Sequence, residues 1–321
     1  MWKHIEGGIK RPPITCLTIW DLFADDTYLL TNLDKVEATS TYHEWLLDSL
    51  AGVTANRQLE GDDASFVTIA APTRVGNYQQ IVRKTFMVSG TLEAVNKAGR
   101  RTEAARNLMK QMRELKNDME YALIRNQASS AGGSATARSS AGMESWIVSS
   151  DRTGGTGTKA TTTASASTVG FSSGTVASPV DGSTTAALTE GSVKTALQNA
   201  WTNGGDVTVI LVDPTQKNVI DTFAGIATRF INVNPGAQAQ IIGAASVYVT
   251  SYGRHAVHLH RHVRSSVVLA IDPNYWAVSF LRRPFKERLA KTGDGEKHMI
   301  LAEFGLVSRN AAASTKIVAA A

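Results

Sequence analysis

The feature that most constrains this chain is a hydrophobic stripe of helical period. Ala104, Leu108, Met112, Leu115, Met119 and Ala122/Leu123 recur at spacings of four, four, three, four and three. That period places them on one face of an α-helix. It predicts a helix over residues 99–127, with Thr102 as N-cap and Gly132-Gly133 beyond its end. At 1.5 Å per residue such a rod spans about 40 Å. Arg106, Lys110, Arg113, Glu114, Lys116 and Glu120 fall on the other face and are expected to be solvated. The methionines read as packing residues.

Ahead of this helix the sequence is irregular. Residues 1–51 read as an arm, because Pro12-Pro13 excludes helix there. A short helix is expected from Tyr42 to Leu50, where Trp45, Leu46 and Leu50 share a face. Residues 52–90 read as an extended loop, polar from Asn56 to Asp63. Phe66 to Ile69 and Gln80 to Val88 are β-rich, with Pro72 and Gly76-Asn77 as turn signals between them. The expectation is a long hairpin. A free hairpin is barely stable in water, so it needs a neighbour, and another subunit is a candidate.

Residues 91–150 hold the helix. From 151 to 188 the chain is rich in Ser, Thr and Gly. Between Ser149 and Ser178 only Asp151, Arg152 and Lys159 carry charge. Such a stretch buries little apolar surface and is expected to be a loop. Residues 189–263 alternate helix and strand. Thr189 starts a helix that Gly204-Gly205 ends, Asp206 to Val212 is an apolar strand, and Asp213-Pro214 is an N-cap followed by proline at the first helical position. Strands at Ser246–Ser251 and Ala256–Val263 follow, turned at Tyr252-Gly253-Arg254. Residues 264–310 read as strands, at Val267–Ile271, Trp276–Leu281 and Met299–Val307, with a tail over 311–321.

Composition excludes several classes. At 321 residues and 43% hydrophobic, the chain affords one large or two modest folded units. A net charge of +5 is spread along the chain, unlike the concentrated patch of a nucleic-acid reader. The lone Cys16 permits no internal disulfide. There is no N-terminal apolar signal region, no apolar run of about 18 residues and no glycosylation sequon.

Chemical motifs are few. His258, His260 and His262 alternate, so a continuous strand would present them on one face, and such imidazoles can hold zinc. No Asp, Glu or Cys completes a motif around them, and a polar, half-exposed strand face is the preferred reading. Gly154 to Lys159 fails the phosphate-loop spacing, no nucleophile elbow occurs, and Asp25-Asp26 and Asp62-Asp63 read as loop charges. No catalytic residue and no cofactor is assigned.

Three strings carry a resemblance. They are KVEATSTYHEWLLDSLAGVTANRQLEGDD at Lys35 to Asp63, RVGNYQQIVRKTFMVSGTLEAVNKAGRRTEAARNLMKQMRELKNDM at Arg74 to Met119, and DPNYWAVSFLRRPFKERLAKTGDGEK at Asp272 to Lys297. In order and spacing they resemble a family of tailed-bacteriophage major capsid proteins. Asn199 to Gly205 and KNVIDTFAG at Lys217 to Gly225 extend the likeness over most of residues 30–310.

The resemblance implies an α+β chain with the HK-ninety-seven-type capsid fold. Residues 1–51 would be the N-terminal arm, 52–90 the extended loop, and 91–150 a peripheral domain with a spine helix. Residues 189–263 would be the axial domain, and 264–310 would return to the peripheral domain. The implied function is a structural shell of hexamers and pentamers around double-stranded DNA, in a virion assembled in the bacterial cytoplasm. Portal, scaffold and decoration proteins and non-specifically held DNA are the implied further partners. Within that reading Arg57, Glu60, Asp62, Asp63, Arg74, Arg83 and Lys84 are expected to make intersubunit contacts. The alternatives are an encapsulin-like bacterial compartment shell and a metal-dependent hydrolase on the histidine strand.

Overall fold

The computed structural model describes residues 27–61, 63, 66, 68–69, 71–95, 102–147, 150–151, 171–178, 187–223 and 247–318. Expectations for Pro12-Pro13, Cys16, Asp62 and most of the Ser/Thr/Gly tract lie outside them. In chain order the first elements are α1 (Tyr28–Asn32), β1 (Asp34–Glu37), β2 (Tyr42–Leu47), β3 (Thr73–Tyr78), β4 (Gln80–Ser89), α2 (Gly90–Ala94), α3 (Glu103–Ile124), α4 (Met143–Trp146), β5 (Ser150–Asp151), β6 (Phe171–Ser172) and β7 (Thr175–Val176). Then follow α5 (Glu190–Thr202), β8 (Val209–Val212), α6 (Pro214–Asp221), β9 (Val247–Thr250), β10 (Gly253–Leu259), β11 (Val267–Ile271), β12 (Trp276–Arg288), β13 (Gly295–Ser308) and β14 (Thr315–Val318).

Two sheets organise the chain. A four-stranded sheet has the order β1-β12-β13-β4, and a six-stranded sheet has the order β5-β14-β11-β8-β10-β9. The six-stranded sheet is covered on both faces. Val209, Leu211, Leu269 and Ile271 join the core that holds Leu115, Met119 and Leu123 of α3. Ile210, Val212, Val268, Ala270 and Ile317 pack against Val193 and Leu197 of α5 and Ile220 of α6. Strands buried on both faces read as unbroken apolar runs, which is why VILV and VVLAI show no alternation.

Local signals place the helices. Thr189 and Ser192 form a reciprocal capping box at the start of α5, at 3.3 and 3.2 Å. Asp213 accepts from Thr215 N at 3.0 Å ahead of Pro214. After α5, Gly204 takes φ +82°, and a Cβ on Gly205 would lie 2.1 Å from Ala313 O. That close approach lets the helix end sit on the turn before β14.

The Asp272-Pro-Asn-Tyr-Trp string is the joint between the sheets. Asp272 is 2% exposed. Its carboxylate accepts from Asp206 N at 3.0 Å and from Asn274 N at 3.1 Å. Tyr275 Oη donates to Gly204 O at 3.2 Å, and Trp276 Nε1 donates to Ser314 Oγ at 2.9 Å.

Several expectations are corrected. Tyr42–Leu47 is a strand paired with β3, not part of a helix. Only alternate side chains turn inward: Trp45 Nε1 donates to Ser308 O at 2.8 Å while Leu46 stays exposed. The hairpin of 66–69 with 80–88 does not form, because β3 pairs with β2 and β4 with β13. Gly76-Asn77 lies inside β3, where a Cβ on Gly76 would strike the Tyr42 ring at 2.6 Å. Val267–Ile271 belongs to the six-stranded sheet, and Thr315–Val318, expected in a tail, is a strand paired with it there. The long helix runs over 22 residues, about 33 Å. Thr102 makes no side-chain cap there; Glu93 accepts from Glu103 N instead, at 3.0 Å.

Candidate assembly surface

The outward-facing feature is the connection between β2 and β3. Residues 48–72 form no helix or strand among the described residues. Leu50, Val53, Leu59, Phe66 and Ile69 are each at least 80% exposed. Single exposed apolar residues are ordinary, but a group of them on one segment marks an interaction surface.

Its foundations are rigid. Asn77, 1% exposed, uses its whole amide. Nδ2 donates to Leu306 O at 2.8 Å, to Ser140 Oγ at 3.1 Å and to Ala141 O at 3.3 Å, while Oδ1 accepts from Ala141 N at 2.9 Å. One side chain thus ties β3 to β13 and to the strap after α3. Two buried carboxylates tie the same region. Glu303 meets Arg138 and Arg282, the latter at 2.9 Å, and Glu144 meets Arg264 with Nε at 3.0 Å.

A third carboxylate, Glu120, was expected on the solvated face of the helix and is fully buried. It accepts from Leu29 N at 2.6 Å and from Leu30 N at 2.9 Å, holding the first turn of α1 against α3. His260 Nε2 lies 3.1 Å from the same carboxylate. His260 Nδ1 accepts from His262 N at 3.2 Å, so the ring proton sits on Nε2 and is donated to Glu120. No local signal marks Glu120, because its partners lie far away in sequence.

His260 and His262 meet, with ring centroids 5.5 Å apart, but His258 points away from them. β10 ends at Leu259, so the alternation breaks before His260. His258 is exposed on the strand with its ring 4.9 Å from Tyr28, while His260 turns into the core. Among the described residues no group of three His, Cys, Asp or Glu is placed to hold a metal ion. The buried histidine of β10 is His255, which the sequence reading passed over. Nδ1 donates to Val207 O at 2.6 Å and Nε2 accepts from Thr250 Oγ at 2.8 Å. Burial pushes its pKa down, with the Val207 carbonyl and Asp206 opposing.

Of the expected contact residues, Arg57, Glu60 and Asp63 lie on the exposed segment. Arg74 is on β3, 3.8 Å from Glu44 of β2, and Lys84 on β4 pairs with Asp118 of α3 at 2.7 Å. Arg83 is exposed on β4 opposite Leu301. These last three therefore stand on the folded body, away from the loop.

The combination of a long helix, a four-stranded sheet, a six-stranded α/β unit and a protruding apolar segment defines the HK-ninety-seven-type capsid class. The chain belongs to the SU10 major capsid protein family, whose match runs over residues 17–321. The major capsid protein of Escherichia phage Phieco32 is 24% identical over 329 residues, covering 94% of this chain and 92% of that one. Among solved structures, the capsid of the native GTA particle superposes with a TM-score of 0.63 at 12% identity, covering 98% of this chain and 97% of that one. The cyanophage A-1(L) capsid asymmetric unit gives 0.66 at 13% identity, covering 94% and 95%. The protein is a tailed-phage major capsid protein, a structural subunit of the icosahedral capsid in the virion. Its family is not an enzyme family.

Proposed function

We propose that the chain assembles with copies of itself into hexamers and pentamers, joined by residues 48–72 and the N-terminal arm laid across adjacent copies. The observation that carries this reading is the exposure of Leu50, Val53, Leu59, Phe66 and Ile69 on one segment anchored in a rigid body. Covering five such side chains contributes on the order of 10 kcal/mol before ordering costs. Exposed ion pairs of Arg57, Glu60, Asp62 or Asp63 contribute about 0–1 kcal/mol each. The apolar contacts therefore set strength and the charges set register.

In this reading α3 is the spine of a peripheral domain. The axial domain is built on α5, α6 and the six-stranded sheet, taking in β11 and β14. The chain performs no catalysis. Portal, scaffold and decoration proteins and non-specifically bound DNA are its further partners, and assembly takes place in the bacterial host cytoplasm. Electron microscopy of the purified chain after size-exclusion chromatography tests it. Closed shells, tubes or six-fold rings are expected. A monodisperse monomer at all concentrations, even with its scaffold present, contradicts it.

A further inference from the structure

The outward side of α3 has a period of its own. Arg106, Lys110, Arg113, Asn117, Tyr121 and Arg125 follow at spacings of four, three, four, four and four, opposite the apolar stripe. At 1.5 Å per residue they form a straight ridge about 28 Å long. Lys110, Arg113 and Arg125 are exposed, as is Lys116 on the flank of the ridge. Arg125, where the helix ends, lies with its guanidinium 4.3 Å from the centroid of the Tyr121 ring.

Folding makes this ridge more basic than the residue order suggests. The helix holds four carboxylates, Glu103, Glu114, Asp118 and Glu120. Glu120 is fully buried under α1, and Glu103 is 6% exposed and pairs with Arg106 at 3.6 Å. Of the two left at the surface, Glu114 lies 3.9 Å from Lys110, and Asp118 is held by Lys84 of β4 at 2.7 Å. The helix therefore turns more positive than negative charge to solvent.

A straight cationic ridge fits a polyanion with regularly spaced charges better than a compact anion. Arg, Lys, Asn and Tyr are also the side chains that bind the phosphate oxygens of a duplex. A protein partner would need apolar anchors. Beside Tyr121 the helix exposes one other large apolar side chain, Met109. The balance favours nucleic acid, held through its backbone and without sequence preference.

We propose that the ridge faces the shell interior and lies against the phosphates of the packaged duplex. This rests on the self-assembly reading above and names the surface at which the subunit meets DNA.

Lysine acylation, read by mass spectrometry on DNA-filled particles and on the same particles emptied of DNA, tests it with the unmodified chain. Lys110 and Lys116 should react about five-fold or more slowly in the filled particles. Added salt should restore much of that reactivity, since phosphate contacts weaken with salt and crowding by DNA does not. Equal reactivity in filled and emptied particles, or shielding that ignores salt, overturns the DNA assignment and leaves self-assembly standing. Equally strong shielding in precursor shells that hold scaffold and no DNA gives the ridge to a protein segment and overturns it too. Failure of the chain to form particles overturns both.

Discussion

Glu120 and His260 meet at 3.1 Å across 140 residues of sequence, and neither is exposed to solvent. The contact joins the end of α3 to the loop after β10. Through Leu29 N and Leu30 N the same carboxylate holds the chain that leads to β1. Glu120→Ala should leave three buried donors unmatched and cost about 3–5 kcal/mol. Glu120→Gln should also destabilise, because its amide NH2 opposes a donor. Hydrogen exchange at Leu29, Leu30 and Val36 should accelerate while β8 and β11 stay protected. Unchanged exchange at Leu29 would remove Glu120 from this role.

Asn77 is a comparable pin at the root of the exposed segment. Asn77→Ala leaves Ala141 N and Leu306 O without their side-chain partner. The expected loss is about 2–4 kcal/mol in denaturant unfolding. Asn77→Asp should be worse, since a carboxylate oxygen would face the Leu306 carbonyl.

The legibility of the sequence divides along the same line. Local chemistry was readable: the stripe of α3, the start of α5 at Thr189, the Asp213 cap, and the Asp272 to Trp276 string. Contacts between distant segments were not. Glu120 shares its charge pattern with solvated neighbours and is buried only because α1 folds over it. Tyr42–Leu47 misled because Trp45, Leu46 and Leu50 match a helical period by chance, while pairing with β3 selects the strand. Asn77 looked like a turn residue because its side-chain partners lie at residues 140, 141 and 306. The extended character of 52–90 was readable, but β3 and β4 occupy its second half, which sets Arg74, Arg83 and Lys84 on the body instead of the loop.

The two glycines after α5 should behave differently. Gly205→Ala drives a Cβ into the Ala313 carbonyl, so soluble yield and melting temperature should fall sharply. At Gly204 the space is open and only the φ of +82° resists, so Gly204→Asn should cost about 1 kcal/mol or less.

Acid should weaken the fold through His255. Burial holds its folded pKa below the ordinary value. As pH falls below about 6.5 the unfolded chain takes up the proton first, so stability is full above that pH and declines toward the depressed folded value. His255→Gln should flatten the slope of unfolding free energy against pH in this window. His43, shifted the same way by burial, should leave a residual slope of the same sign.

Leu50, Val53, Leu59, Phe66 and Ile69 are exposed in the single chain and should be covered in the shell. Hydrogen-exchange mass spectrometry on dissociated subunits and on assembled particles measures it directly. Rapid exchange across 48–72 in the subunit and strong protection in the particle is the predicted result. Equal exchange in both states would contradict the account and leave the apolar segment without its role.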